Sequence, residues 1–376
     1  MTANKHCVNC SAEALTPIYG VEAIPVFQNK VYDRADQARE AVSGSVNLVA
    51  CGACGFVFNA EFDASLMSYD SEYQNEQSHS PVFDDYLDTV VSLLKSRGYG
   101  NRKIVEIGCG KGTFLGKLWQ QGFDAIGFDT AYEGADPRVH REYFSASHQG
   151  IAMDLLVLRH TLEHIASPLA FLQHLASLCP PRTRIYIEVP SLEWIMEKRA
   201  FWDVFYEHCN YFTMESLCGL FRQADSGFLF GGQYMFAIAS LDDLLSHPAA
   251  RPDAGELPLF ALQEEIAGIR NFVQQHPGML IWGAGAKGAT FVNILDPQQQ
   301  WIRAVVDINP KKAGRFVAGT GHPVITPVQI AQTGATDVLI MNENYRQEIM
   351  SMASGAGLRF HTLGLDDLGI PYPESE

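Results

Sequence analysis

Lys103-Ile104-Val105-Glu106-Ile107-Gly108-Cys109-Gly110-Lys111-Gly112 reads as an apolar strand running into a glycine-rich turn. Thr113-Phe114-Leu115-Gly116-Lys117-Leu118 then takes up helical periodicity. Glycines at such a turn let the backbone pass against a bound ligand and start the helix tightly. The next apolar stretch, Ala125-Ile126-Gly127-Phe128-Asp129, ends in an acid about 20 residues after the turn, where a carboxylate accepts hydrogen bonds from ribose hydroxyls. Met153-Asp154-Leu155-Leu156-Val157-Leu158 predicts a buried strand ending at Arg159-His160-Thr161-Leu162-Glu163-His164-Ile165, and Arg184 to Val189 predicts another. This alternation predicts an α/β nucleotide fold. The turn departs from the NAD fingerprint, because it lacks the third glycine spacing of G-x-G-x-x-G.

The run E-x-G-C-G-x-G, the strand-end Asp129 and the Leu162-Glu163-His164-Ile165 turn together resemble the class I S-adenosylmethionine methyltransferases. The resemblance implies a Rossmann-like core that binds S-adenosylmethionine. Glu106, Gly108, Gly110, Gly112, Asp129 and Arg159 are the candidate cofactor-binding residues.

A second strand and glycine turn lie near the other end, in Gly278-Met279-Leu280-Ile281-Trp282-Gly283-Ala284-Gly285-Ala286-Lys287-Gly288. Ile302 to Asp307 again ends in an acid, so the unit is a dinucleotide fingerprint and NAD is one candidate ligand. A glycine turn at a helix N-terminus also takes any phosphate, and Lys287 adds a cation. Gly283, Gly285, Lys287 and Gly288 are therefore candidate substrate-binding residues. Between the two folds, Leu259, Leu262, Ile266, Ile269 and Phe272 are spaced by three and four and predict a connecting amphipathic helix within 253–275.

Composition sets bounds on function. The 376 residues are 47% hydrophobic and 19% charged, enough to bury real cores. A net charge of −16 disfavours nucleic acid as a partner. No apolar run reaches membrane-spanning length and no signal-like stretch opens the chain, so a cytoplasmic protein without membrane partners is expected. Four of the eight cysteines form two C-x-x-C pairs, Cys7/Cys10 and Cys51/Cys54. Two such turns complete a tetrahedral thiolate shell that suits Zn²⁺ and leaves no open position, so the ion is expected to be structural.

The segment from Phe201 to Thr213, Phe-Trp-Asp-Val-Phe-Tyr-Glu-His-Cys-Asn-Tyr-Phe-Thr, crowds polar and aromatic groups at the sheet's expected carboxyl edge. Glu207 and His208 are adjacent and so point in different directions, but a histidine there can act as a general base. The paired cysteines, the methyltransferase core, the E-H-x-x-Y-F motif and the G-A-G-A-K-G unit, in this order, resemble the sugar C-methyltransferases that act on nucleotide-linked deoxy-ketosugars. The resemblance covers nearly the whole chain. It implies a zinc-binding domain (1–65), a methyltransferase domain with a lid segment (66–245), and a connecting helix with a C-terminal Rossmann-like domain (246–376).

The resemblance also places catalytic roles on Glu207, His208 and His164, and on Tyr73 in the lid. It implies that His208 removes a proton beside a ketone, with Tyr206, Tyr73 or His164 donating to the developing oxyanion. A tyrosine usual in the family is Phe205 here, and a tryptophan usual after the strand ending at Met341 is missing from Asn342-Glu343-Asn344-Tyr345. Two other readings stand beside this one. The first is methyl transfer to oxygen or nitrogen of a nucleotide-linked sugar or natural product; the second is a non-catalytic nucleotide- or NAD-binding protein.

Overall fold

The computed structural model of the protein describes residues 4–67, 80–250, 262–353 and 357–363. The N-terminal part runs through β1 (Leu15–Pro25), β2 (Val31–Tyr32), α1 (Ala35–Arg39), β3 (Ser43–Cys51) and β4 (Val57–Asn59). The middle part runs through α2 (Pro81–Ser96), β5 (Lys103–Ile107), α3 (Thr113–Gln120), β6 (Asp124–Phe128), β7 (Val139–His140), β8 (Leu155–Arg159), α4 (Pro168–Leu178) and β9 (Arg184–Pro190). It continues with α5 (Leu192–Glu197), β10 (Asn210–Tyr211), α6 (Met214–Cys218), β11 (Ala224–Leu229) and β12 (Tyr234–Ser240). The C-terminal part comprises α7 (Leu262–Gln275), β13 (Met279–Trp282), α8 (Ala286–Leu295), β14 (Ile302–Val306), β15 (Phe316–Val317) and β16 (Val324–Ile325). It closes with α9 (Ile330–Thr333), β17 (Asp337–Ile340), α10 (Arg346–Met352) and β18 (Arg359–Thr362).

The middle sheet has seven strands in the order β11-β12-β9-β8-β5-β6-β7. β7, β6, β5, β8 and β9 are parallel, and β12 enters antiparallel between β9 and β11. Every residue of β8 is buried, as a parallel strand covered on both faces requires. The C-terminal sheet, β16-β14-β13-β17-β18, is parallel throughout. In both sheets the strand order reverses at the first strand, β5 in one and β13 in the other. A crevice opens at the carboxyl end of such a switch point.

The connecting helix buries Ile266, Ile269 and Phe272, as its spacing predicts, and Val273 beside them. It starts at Leu262, and residues 253–261 of the expected span lie outside the described residues. Arg159 belongs to β8 itself, one residue beyond the predicted strand end.

The three parts share cores and strands. β10, from the middle of the chain, is the fourth strand of the N-terminal sheet β1-β3-β4-β10. It pairs with β4 through Asn210↔Phe58 and Tyr211↔Val57. β2 pairs with β15 of the C-terminal part. One buried cluster contains Ile24 and Leu48 of the N-terminal sheet, Phe201 and Trp202 of the segment before β10, and Ile281 and Phe291 of the C-terminal part. Phe201 stacks on Phe291 with ring centroids 6.0 Å apart.

Candidate active site

A cavity of about 430 Å³ lies where the two switch points face one another. Glu106 of β5 with Gly108 and Gly110 after it, and Arg159 of β8 with His160, Glu163 and His164 after it, form one side. Gly283, Gly285 and Lys287 after β13, with Asp307, Asn309 and Lys312 after β14, form the other. Phe205 and His208 lie between them, and Asn29 reaches in from the N-terminal part.

The two glycine turns are built alike. Asp129 at the end of β6 accepts from the Gly110 amide at 2.7 Å and the Ala131 amide at 2.7 Å. Asp307 after β14 accepts from the Ala284 amide at 2.8 Å. Lys312 adds to the second turn: its buried Nζ donates to the Ala284 carbonyl at 2.9 Å and stands 3.9 Å from Asp307. A Cβ on Gly288 would overlap the Gly283 carbonyl, so only glycine allows α8 to pack this close to β13. Gly110 sits at φ 55 with open space where a Cβ would stand, leaving its face clear for a ligand. Gly112, the N-cap of α3, and Asp129 stand behind the cavity wall, as does Gly288.

Glu106 is 2% exposed, and its Oε2 has no hydrogen-bond partner among the described residues. Burial pushes its carboxyl up to about 8; the Arg159 charge opposes this, whereas Glu188 and Asp129 add to it. Arg159 does not stand alone as a ligand contact. It packs on the Phe114 ring and makes a bidentate bond to Glu188, with Nη2 at 2.7 Å and Nε at 3.1 Å. Glu188 is fully buried and also accepts from the Tyr86 and Tyr186 hydroxyls, each at 2.6 Å. His160 Nε2 lies 3.0 Å from Glu188, and its Nδ1 lies 3.4 Å from Glu163. Burial pulls the His160 pKa down, but the two carboxylates outweigh it and hold it at about 9. His160 adopts φ 48, a strained backbone for a residue with a Cβ.

His164 and His208 meet edge to face, with ring centroids 4.9 Å apart. His164 Nδ1 stands 2.8 Å from the Glu207 carbonyl, which can only accept, so the proton is on Nδ1 and the lone pair of the neutral ring is on Nε2. Phe205 lies on His208 at 4.0 Å, and the Tyr211 hydroxyl bridges the amide and carbonyl of Phe205 at 3.1 Å each. Burial holds the His208 pKa well below its ordinary value, with nearby His164, His160 and Lys287 charges acting in the same direction.

The Glu207 carboxylate points elsewhere. It is fully buried and accepts from the Gln28 amide at 3.3 Å. The carboxylate that stands with the two histidines is Glu163, whose oxygen lies within 4.8 Å of both. Tyr206 is directed into the N-terminal part, where its hydroxyl accepts from the Asp63 amide at 2.9 Å and donates to the Asp63 carbonyl at 3.3 Å. Tyr73 lies outside the described residues. Sequence reading missed Glu188, Tyr86, Tyr186 and Glu163. The available signal was Glu163 beside His164, together with a glutamate inside an otherwise apolar strand at 188.

Lys287 pairs with Asp203 and lies 5.1 Å over the Trp194 ring. The Asn342 to Tyr345 turn, where the tryptophan is missing, docks on the β11–β12 hairpin. Asn342 and Asn344 donate to Gln233 Oε1 at 2.9 and 3.3 Å, and Asn344 also donates to the Phe230 carbonyl at 3.0 Å. Ser80, the N-cap of α2, donates to Glu348 at 2.6 Å.

The four cysteine sulfurs Cys7, Cys10, Cys51 and Cys54 lie within 4.8 Å of one another. Cys7 and Cys54 are 3.7 Å apart, and Cys10 and Cys51 are 3.5 Å apart. A tetrahedron with Zn–S bonds of about 2.3 Å has edges of about 3.8 Å, so the donor set fits the ion.

Residues 78–226 match the methyltransferase domain family, and residues 263–359 match the C-methyltransferase C-terminal domain family. With the sheet order above, these matches define the class: the protein is a methyltransferase enzyme with a class I S-adenosylmethionine-dependent core. A curated relative is the C-methyltransferase NovU of Streptomyces niveus, 24% identical over 287 residues that cover 66% of this chain and 68% of that one. Among solved structures, a methyltransferase from Archaeoglobus fulgidus is 19% identical and covers 41% of this chain and 94% of its own, with a TM-score of 0.34. The magnesium protoporphyrin IX methyltransferase of Synechocystis PCC 6803 is 17% identical and covers 42% and 83%, with a TM-score of 0.32.

Proposed function

We propose that the enzyme methylates a carbon alpha to the ketone of a nucleotide-linked deoxysugar, through an enolate. One observation carries this reading: two glycine-turn switch points open on a single cavity with a neutral histidine, His208, between them. The match to a C-methyltransferase C-terminal domain supports carbon as the acceptor.

The donor side fits S-adenosylmethionine. The unpartnered Glu106 Oε2 and the open face of Gly110 border the cavity; Glu106, Gly108, Gly110 and Arg159 are proposed to hold the donor there, with Asp129 fixing the turn through the Gly110 amide. The bound cofactor supplies a methyl group activated by a sulfonium. On the other side, Gly283, Gly285 and Lys287 are proposed to take the nucleotide's phosphates, with the amides at the start of α8 facing the anion. Lys312, 3.9 Å from Asp307 and lining the cavity, adds a second cation beside Lys287, which favours the phosphate reading over a dinucleotide.

His208 takes the proton beside the ketone. Its low pKa keeps it neutral at pH 7, with a lone pair ready. His164 offers its own lone pair on Nε2 beside the His208 ring, which then holds the proton as an imidazolium; in this tautomer His164 is an acceptor and not a donor. The oxyanion donor is assigned to Tyr73. Tyr206 and Glu207 act by holding the segment that carries His208, Tyr206 through Asp63 and Glu207 through Gln28 and His164. The four cysteines hold a structural Zn²⁺ that takes no part in the chemistry.

The test is incubation with S-adenosylmethionine and a panel of nucleotide-linked 4-keto-6-deoxysugars, read by mass spectrometry. The expected product gains one methyl, exchanges its alpha hydrogen in deuterated water, and is absent with His208→Asn. Methyl gain without exchange would move the acceptor to oxygen or nitrogen, and undiminished turnover by His208→Asn would overturn the base.

A further inference from the structure

We infer that Glu163, His164 and His208 form a binding site for a divalent transition-metal ion, open to the cavity, and that filling it stops methyl transfer. The second half of this inference rests on the role proposed above for His208.

One donor atom from each of the three residues lies within 4.8 Å of the others. Glu163 is 1% exposed yet lines the cavity. Its Oε1 faces His160, whereas Oε2 has no hydrogen-bond partner among the described residues. Burying a carboxylate oxygen without a donor is costly, and a cation offsets that cost directly. His164 already shows the arrangement of a metal ligand: its Nδ1–H is given to a backbone carbonyl, which fixes the ring and puts its lone pair on Nε2. His208 stands edge-on to it in the neutral form that binds metals.

Two imidazoles and a carboxylate suit Zn²⁺, Co²⁺ or Ni²⁺, and disfavour Mg²⁺ and Ca²⁺. Donors around such an ion, at bonds of about 2.1 Å, stand about 3.4 Å apart, so binding draws the three side chains together by about an ångström. Three protein ligands leave at least one position facing the cavity, unlike the closed four-cysteine set. Once the His208 lone pair is on the metal, it no longer accepts a proton.

The test is a titration of zinc-loaded protein with Co²⁺, followed by absorption and calorimetry, with turnover measured in parallel. One further equivalent should bind with weak d–d bands and no thiolate-to-cobalt band, turnover should fall in step, and chelation should restore it. Glu163→Gln and His164→Ala should each weaken uptake at least tenfold, with thermal melts checking that both variants fold. No further equivalent, a thiolate band, or equal uptake by folded variants would overturn the site. Uptake that needs these side chains but leaves turnover intact would overturn the silencing and the assignment of His208 as base, while methyl gain by the metal-free enzyme tests the reaction separately.

Discussion

Glu188 is fully buried and takes no part in the proposed proton transfer, yet Arg159, His160, Tyr86 and Tyr186 all converge on it. Burial alone would raise its pKa; the Arg159 charge and the His160 contact outweigh that and hold the carboxyl well below its usual range. Glu188→Gln leaves the Arg159 charge buried and uncompensated, with an expected cost of about 3–5 kcal/mol, measurable by chemical denaturation. His160 makes a separate pH prediction. Its folded pKa of about 9 exceeds the unfolded value, so its stabilisation is complete below about pH 6.5 and is lost as pH rises through about 9. Denaturation midpoints should fall between these limits, and His160→Gln should flatten that fall. For His208 the pKa lies low, so the acid limb of kcat/KM should sit well below about pH 6.5. An acid limb above that value would assign the base to another group. Sequence alone made Glu106, Asp129 and the cysteine pairs legible, because each sits in a fixed relation to a turn or a neighbour. Glu188 was not legible as a hub: Tyr86 is 102 residues away, and only the fold brings them together.

At the scale of the element, β10 matters most to the site. It begins two residues after His208, and its partner β4 begins three residues after Cys54. The Asn59 amide adds a bond of 2.8 Å to the Cys209 carbonyl. The cysteine cluster therefore sets the place of the segment that carries His208 across a two-strand bridge. Removing the proposed zinc, or Cys54→Ser, should speed hydrogen exchange at Asn210 and Tyr211 and lower kcat, with donor affinity nearly unchanged. Equal losses of donor affinity and kcat would mean that the whole molecule loosens instead. No periodicity announces a two-residue strand, and adjacent residues of the chain gave no hint that its partner lay in the N-terminal sheet. The direction of Tyr206 follows from the same pairing and was hidden for the same reason.

At the scale of the molecule, the methyl-donor core and the C-terminal fold face each other and are fastened at the cavity rim. Asn344 bonds the Phe230 carbonyl and Gln233, and Glu348 accepts from Ser80. Asn344→Ala removes bonds worth about 1–2 kcal/mol together. It should raise KM for the proposed nucleotide-sugar substrate by roughly five- to thirtyfold while donor affinity holds, as calorimetry and initial rates would show. Both α/β folds were readable from their glycine turns and strand-end acids, since the pattern is local. Their mutual docking was not readable, because it rests on asparagines and a glutamate with no local signature.

The sharing of β10 bears on how such an enzyme is inherited and recombined. A chimera that takes the methyltransferase core from one relative and the cysteine domain from another inherits the two edges of one ladder from different parents. Asn210 and Tyr211 would then meet a β4 selected against other partners. Exchange of the C-terminal fold breaks no strand of that ladder, although it cuts the β2–β15 pair. C-terminal folds should thus trade more freely among relatives than either of the first two parts does alone.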